Sequence, residues 1–586
     1  MACHSCFNTV LVLLAASQSF ASVPQQRIPL IDSFPQTPSP WAPTNWSSVA
    51  LAQTAFIFDA TRTGQYLPLL WWDDAHHNVN QTTFGTPSYV GGATGAGAPH
   101  ELIAGGALVL SGLLAGAPMS NLSGPGFQGV DFERMLLNFF DTGAQMWADV
   151  RSPNGSFWYQ AWNSMLPLMV ASTSQSPTLL PAVRAAAATW LRIQAALDGN
   201  FNVSGIDFDP ASGAPIPVPG NSKQYPLPVV SAGVAWLLYA TRAALGEGSD
   251  PAAPALLAGA GAALDYLLAL PYDSYWEVLM PYGALACARI NAEQGASRPT
   301  GALLANIFQP GLPSHFPFRW GWGTLSGAWG AGVDVAGLTG ASSDRGGYCF
   351  AFDTFATLAA LLPIARYEAQ WATALGRYGS NAANAARLFF PFASAPEAQS
   401  NWAWVAAHPG AEALSYEGLR RWGFNSTDGN ITGPYATGDG ESQGGLPTNL
   451  AVYGGAYVGL MAGLVLPTLG AGAGVAAFNL TSTDFWARPS LPTTLVYNGG
   501  GAGALVQLAL PPGGGARDVY DAVAQAVVAR GAAPPSVGVW VAADGAGVFV
   551  AIPAGTPLVR DEARNWLLAG GVVVDWQLTP KGIAKQ

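Results

Sequence analysis

Charge is the scarcest property of this chain. Of 586 residues, 24 are Lys or Arg and 35 are Asp or Glu, so only 10% of the sequence is charged. Lysine is almost missing, with Lys223, Lys581 and Lys585 the only examples. A net charge of −11 and a pI near 4.9 argue against a nucleic-acid partner, which needs a basic face. Anionic membranes and strongly acidic polymers are excluded as general partners on the same ground, although a local arginine site can still hold a uronate. Cysteine is scarce as well. Cys3 and Cys6 fall in a candidate leader, which leaves Cys287 and Cys349 either to pair or to remain buried thiols. No Cys/His spacing suggests zinc, and neither a metal nor a cofactor is expected. The sequence also lacks an uninterrupted run of membrane length. Residues 102–115 are too few, and 450–478 are broken by Pro467 and a glycine cluster and contain Tyr453 and Tyr457, so no stable membrane span is expected. Nucleophile elbows, phosphate-cradling loops and dinucleotide fingerprints are absent in any convincing context.

What is present points to secretion. Residues 1–21 read as a signal peptide: 10–16 form a short apolar run, and Ser19-Phe20-Ala21 offers small residues to a signal peptidase. Asn-X-Ser/Thr sequons follow at Asn45, Asn80, Asn121, Asn154, Asn202, Asn425, Asn430 and Asn479. A secreted or cell-wall location is expected.

From about residue 48 to 467, apolar residues recur at three- and four-residue spacing. This predicts helices over 48–61, 101–114, 131–150, 159–172, 177–197, 227–245, 251–270, 275–293, 347–362, 367–388, 416–422 and 450–464. Many helices joined by long aromatic loops suit a closed ring of helical hairpins, whose loops build a cleft at one end. After about residue 476 the period changes. Strands are expected over 493–497, 504–510, 536–542, 547–552 and 572–576, with 518–530 as one helix or a helix-like turn. The expected division is a mainly α domain over 22–475 and a sandwich-like β domain over 476–586.

In so uncharged a chain, clustered acids call for a reason. Glu417 lies in Tyr416-Glu417-Gly418, and Asp439 and Glu441 follow Gly433-Pro434-Tyr435 on a glycine-rich turn. Carboxyls on turns beside aromatics match the acid/base pair of a sugar-cleaving enzyme, while as turn residues they need only face water. Trp71-Trp72-Asp73-Asp74-Ala75-His76-His77 could stack a sugar and grip its hydroxyls, or pack the tryptophans inward and cap an element. Tyr275-Trp276-Glu277 opens a predicted helix, so Glu277 either answers the helix dipole or stands at a cleft rim. Arg345 and Tyr348 could neutralise a uronate and move a proton, as a lyase requires, or Asp344 and Arg345 could be an ordinary helix-start pair. Asp353 and Arg387 fall inside predicted helices and read as a structural polar pair or solvated positions. Asn381 and Asn384, three apart on one helix face, read as architecture.

The segments 71–78, 275–283, 381–391, 416–420, 435–441 and 450–459 together resemble the six-hairpin glycosidase superfamily. The tail segments 490–497, 518–523 and 571–576 resemble the C-terminal part of secreted members. The resemblance implies an (α/α)6 toroid followed by a β domain, and a glycoside hydrolase or a polysaccharide lyase acting on an oligo- or polysaccharide. A toroid that binds glycans without cleaving them is the third reading. The expected catalytic set is Asp439 or Glu441 opposed by Glu277 or Asp74. Trp71, Trp72, His76, His77, Tyr275, Trp276, Arg345 and Tyr348 are the expected substrate contacts. The oligomeric state is left open.

Overall fold

The computed structural model describes residues 22–578 except 75–77, 79–81, 150–156, 204–205, 209–212, 218–225, 247–248, 309–321, 331, 342–346, 423–431, 439–446, 468–471 and 514. The N-terminal part is helical. Its main helices are α1 (Trp46–Ile57), α2 (Leu102–Leu114), α3 (Phe157–Ser174), α4 (Leu180–Ala196), α5 (Val230–Ala244), α6 (Ala253–Ala269), α7 (Leu279–Gln294), α8 (Thr300–Ile307), α9 (Ala351–Leu361), α10 (Ala372–Ala385) and α11 (Val458–Leu464). Helix contacts close on themselves: α2 packs on α3, α3 on α5, α5 on α7, α7 on α9, α9 on α11, and α11 back on α2. The remaining helices lie outside this ring, α1 on α2 and α11, α4 on α3 and α5, α6 on α5, α8 on α7, and α10 on α9.

Composition explains the two layers. A helix enclosed on all sides must be apolar all round, whereas an outer helix needs only one apolar stripe. Every residue of α9 is buried, as are those of α5 from Val230 to Arg242. In α4, by contrast, buried Val183, Ala186, Ala187, Trp190 and Ile193 recur at helical spacing on one face. Small residues let the inner helices approach closely. A Cβ on Gly283 of α7 would stand 2.6 Å from the Ala232 Cβ of α5, so any larger residue there forces the pair apart. The asparagines of α10 are architectural: Asn381 donates to the Pro35 carbonyl at 2.9 Å, and Asn384 accepts from the Ala42 N–H at 2.8 Å, tying down the N-terminal segment.

Short antiparallel sheets decorate the ring. β1 (Trp71–Asp73) pairs with β2 (Thr83–Gly85). A five-stranded sheet contains β3 (Trp322–Thr324), β4 (Thr339–Ala341), β5 (Tyr348–Phe350), β6 (Gly418–Trp422) and β7 (Thr432–Thr437) in that spatial order. The C-terminal part is antiparallel β throughout. β8 (Val465–Leu466), β9 (Val475–Asn479), β10 (Thr493–Asn498), β11 (Ala504–Ala509), β12 (Arg517–Asp521), β13 (Ala526–Ala532), β14 (Ser536–Val541) and β15 (Gly545–Pro553) make a six-stranded sheet, in the order β8-β9-β10-β15-β12-β13, and a separate β11–β14 ribbon. Sheet and ribbon share an apolar core that includes Val496, Val506, Val539 and Phe549. β16 (Leu558–Asp561), β17 (Trp566–Ala569) and β18 (Val572–Asp575) form a last small sheet.

Several sequence expectations are corrected. In place of one helix over 131–150, residues 131–147 hold a short helix, a 3-10 turn and a tight hairpin, because the Asp141 carboxylate accepts the Gly143 and Ala144 N–H groups and turns the chain. Residues 416–422 and the start of 347–362 are strands β6 and β5, which pair with each other at Tyr348↔Arg420. Residues 518–530 form the β12–β13 hairpin, with Asp521 accepting the Val523 and Val548 N–H groups. Cys287 and Cys349 are both free and buried. Among the described residues, no helix is long and apolar enough to cross a membrane.

Candidate functional site

Acids and phenols gather at one end of the ring. Glu101 is the residue before α2, Tyr159 is the third of α3, Glu277 lies two residues before α7, Asp353 is the third of α9, and Tyr453 lies five before α11. These groups act on one another: Tyr159 is pushed well up by burial and by the charges of Glu101, Glu277, Asp149 and Glu417. Five ring helices therefore present their N-terminal ends to one place and run the same way. Each such end carries a partial positive charge, which favours carboxylates and developing anions.

Glu417 occupies the centre. It sits between Tyr416 and strand β6 and is buried, with 3% of its surface exposed. Its Oε1 accepts hydrogen bonds from the phenols of Tyr89 at 2.7 Å and Tyr453 at 2.5 Å. Gly418 is required beside it. A Cβ there would collide with the Cys349 carbonyl oxygen and reach the Tyr348 phenol oxygen at 3.0 Å, so the missing side chain lets Tyr348 lie against this point.

Asp353, in the first turn of α9, is also buried, and its Oδ1 has no hydrogen-bond partner among the described residues. Burial, then the neighbouring charges of Glu277 and Glu417, push its carboxyl well above the usual carboxylate range. Neither expectation for this residue holds: it is not solvated, and it faces two other carboxyls, whereas Arg387 lies by Asp334. Glu277 is half-buried and precedes α7 rather than lying within its first turns. Its φ of 51° is in the left-handed region, a costly conformation for a non-glycine residue and one that clusters at functional sites.

An aromatic wall adjoins Glu277. Trp276 meets Trp322 at 5.5 Å between ring centroids, Trp322 stacks on Phe350 at 5.3 Å, and Phe350 meets Tyr348 edge-on at 4.3 Å. The Arg420 guanidinium lies over the Tyr348 ring at 5.0 Å. Tyr275 is fully buried with its hydroxyl beside Thr357 and Thr339, behind Asp353. Thus Tyr275, Trp276, Glu277 and Tyr348 come together, although Tyr348 does so from strand β5 rather than from a helix.

Residues 71–74 stand at the edge of this cluster. Trp71 is buried, with its indole packed over Gly85, and Trp72 is half-buried and stacks on Phe132 at 6.1 Å. Buried Asp73 lies 4.0 Å from Nδ1 of His100, the neighbour of Glu101. Asp74 is exposed. His76, His77, Arg345, Asp439 and Glu441 lie outside the described residues. Among the described residues, no group of three His, Cys, Asp or Glu side chains is placed to hold a metal.

Sequence reasoning missed Asp149, Glu101 and Tyr89. Asp149 accepts the Leu102 N–H at 2.8 Å and the Asn163 side chain at 3.1 Å, and burial followed by the Glu101 charge pushes its carboxyl up to about 7. The native state thus keeps a proton that the unfolded chain releases near pH 4. Between these values the native state binds more protons, so stability falls as pH rises, and the penalty is complete above about pH 7. Asp149→Asn should therefore narrow the difference in unfolding midpoint between pH 5 and pH 8. An unchanged difference would remove Asp149 as its source.

No protein-family model matches the chain, and no curated protein matches it. Among solved structures, the fold bears a distant similarity to a GH127 beta-L-arabinofuranosidase from Geobacillus stearothermophilus T6, at 10% identity and a TM-score of 0.26, covering 80% of this chain and 75% of that one.

Proposed function

We propose that this is a secreted glycoside hydrolase built on an (α/α)6 toroid over residues 22–475, with a β domain over 476–586 and the catalytic cleft at the N-terminal ends of the ring helices. The closed ring of helix contacts supports the toroid reading. Exposed sequon residues Asn45, Asn121 and Asn202 are compatible with passage through the secretory pathway.

One observation carries the catalytic reading: Glu277 and Glu417 both act on buried Asp353, which brings three carboxyls to one site in a chain with few charges. Burial, then the charges of Glu277 and Glu417, raise the Asp353 carboxyl well above the usual range, so this carboxyl keeps its proton beside the other two. In this reading half-buried Glu277, beside Trp276, protonates the leaving glycosidic oxygen. Glu417, oriented by the Tyr89 and Tyr453 phenols, takes the proton from a water that attacks the anomeric carbon. The C–O bond to the leaving sugar breaks as the bond to water forms. Asp353 is a positioning residue whose retained proton keeps a further negative charge away from the other two. Trp276, Trp322 and Phe350 provide the apolar wall against which a sugar ring would lie. Asp439 and Glu441 remain candidates for the second carboxyl, because their loop leaves β7 at Thr437, the residue paired with Gly418. Asp74 and the Trp71–His77 loop are candidates for the cleft edge.

The Tyr348–Arg420 pair favours a second reading, a polysaccharide lyase. A phenol under a guanidinium is suited to remove a proton α to a carboxylate that the arginine neutralises. Product analysis against plant, algal and microbial glycans separates the readings. Hydrolysis adds water and a new reducing end, whereas elimination leaves an unsaturated sugar that absorbs in the ultraviolet. Binding without cleavage, unchanged by Glu417→Gln, would support the non-catalytic glycan binder. If the 438–446 loop supplies the second carboxyl, Asp439→Asn abolishes turnover; full turnover in that variant leaves Glu277 and Glu417 as the pair.

A further inference from the structure

A groove opens at the far end of the ring. Its two halves, of about 570 and 510 Å³, share Glu293, Gln294, Arg564, Trp566 and Trp576. Glu293 is in the last turn of α7, and Glu277 precedes the first, so the 16-residue helix separates groove and carboxylate cluster by roughly 24 Å. One half is lined by amides, including Asn291, Asn565 and Gln577. The other collects Arg242, Arg289, Arg366, Arg488 and Arg564.

The charge does not cancel locally. Arg366 pairs with Asp484 at 2.7 Å, and Arg289 lies 3.5 Å from Glu293 and 3.7 Å from Asp484, which balances these two arginines. Arg488 and Arg564 are exposed and have no ion pair among the described residues. In a chain of net charge −11, this is a local reversal of sign. The aromatics stand in register with it. Arg564 lies 4.6 Å over the Trp566 ring, and Trp566 and Trp576 meet edge-to-face at 5.1 Å. Trp486 is held at a positive φ of 61°, with its indole N–H donating to the Leu168 carbonyl at 2.9 Å, so its ring is fixed at the groove wall.

Guanidinium forks grip planar anions, indoles cover sugar faces, and amides take hydroxyls. From their juxtaposition we infer that this groove is a second, non-catalytic binding site for an acidic oligosaccharide, one whose sugar rings bear carboxylate or sulfate. The inference stands apart from the proposed catalysis, because no residue of the groove belongs to the carboxylate cluster.

Calorimetric titration of the full chain with tetragalacturonate, a sulfated tetrasaccharide and neutral maltotetraose tests it. Expected is saturable binding of an acidic probe that weakens with added salt. The Arg488→Gln/Arg564→Gln double variant should weaken that binding by about tenfold or more, and Glu417→Gln should leave it unchanged. Both arginines are exposed, so the double variant should keep the wild-type unfolding midpoint. Binding of tetragalacturonate alone would identify uronates, and binding of the sulfated probe alone would identify sulfated sugars. The inference is overturned if neither acidic probe binds, if maltotetraose binds equally well, or if the double variant binds as wild type.

Discussion

Glu417→Gln is expected to lower turnover by roughly 10²- to 10⁴-fold, the range for loss of a positioned acid or base, without loss of the folded state. The amide has the same shape, and its oxygen can still accept the Tyr89 and Tyr453 hydroxyls, which lie 2.7 and 2.5 Å from Oε1 in the wild type. It cannot take a proton from water. The variant also removes one of the two charges that push the Asp353 carboxyl up. Repulsion in a buried site falls, so the unfolding midpoint should hold or rise, and Asp353 should titrate at lower pH than in the wild type. A structural carboxylate would behave differently: replacing it would cost stability and spare turnover. Tyr89→Phe and Tyr453→Phe each delete one hydrogen bond to Glu417 and should each cost roughly 10-fold in turnover, the scale of one hydrogen bond to a charged group. Steady-state kinetics on the glycan that product analysis identifies would decide. A Glu417→Gln enzyme within about threefold of wild type would exclude the base assignment.

The helices of the ring were legible because burial on all sides leaves apolar runs longer than a strand needs. Leu102–Leu114 and Phe157–Ser174 are within two residues of the expected bounds. Local chemistry misled where tertiary pairing decides. Residues 418–422 carry two arginines and a leucine that suit a helix as well as a strand, and only pairing with both β5 and β7 makes them β6. The 131–150 and 518–530 errors have a different origin. Both contain an aspartate, Asp141 or Asp521, whose carboxylate turns the chain by accepting nearby N–H groups, and that turn chemistry was readable but was outweighed by helical spacing. For the site, Glu277, Trp276 and Glu417 stood out as acids and aromatics in an uncharged chain. Asp353 did not, because position within a helix says nothing of what faces it until the ring closes. A signal existed nonetheless. Asp353 is the lone acid of α9, and Glu101 precedes the uncharged α2, so in each case a charge marks the N-terminal end of a helix that is otherwise buried.

Asp484→Ala should be the most damaging single change to the fold. Asp484 follows β9 and reaches into the helical part, where its side chain is fully buried. Its Oδ2 accepts from Arg366 at 2.7 Å and from the Tyr367 hydroxyl at 2.6 Å, while Arg289 approaches Oδ1 at 3.7 Å. Both guanidinia are themselves buried, with 5% and 1% of their side chains exposed. Removing the carboxylate leaves two cations in a low-dielectric site where, among the described residues, Glu293, the Tyr367 hydroxyl and the Phe485 and Trp486 carbonyls answer them. Breaking a buried pair in this way costs about 3–5 kcal/mol, a large share of the roughly 5–15 kcal/mol that holds a typical domain together. Arg366→Met should cost less, because Asp484 keeps Arg289 and the Tyr367 donor and the new side chain fills the space. The order of unfolding midpoints is therefore wild type, then Arg366→Met, then Asp484→Ala. Equal midpoints for the two variants would mean that the Arg366–Asp484 bond alone matters. A wild-type midpoint for Asp484→Ala would mean that water reaches the arginines and that this junction between the helical and β parts is not sealed.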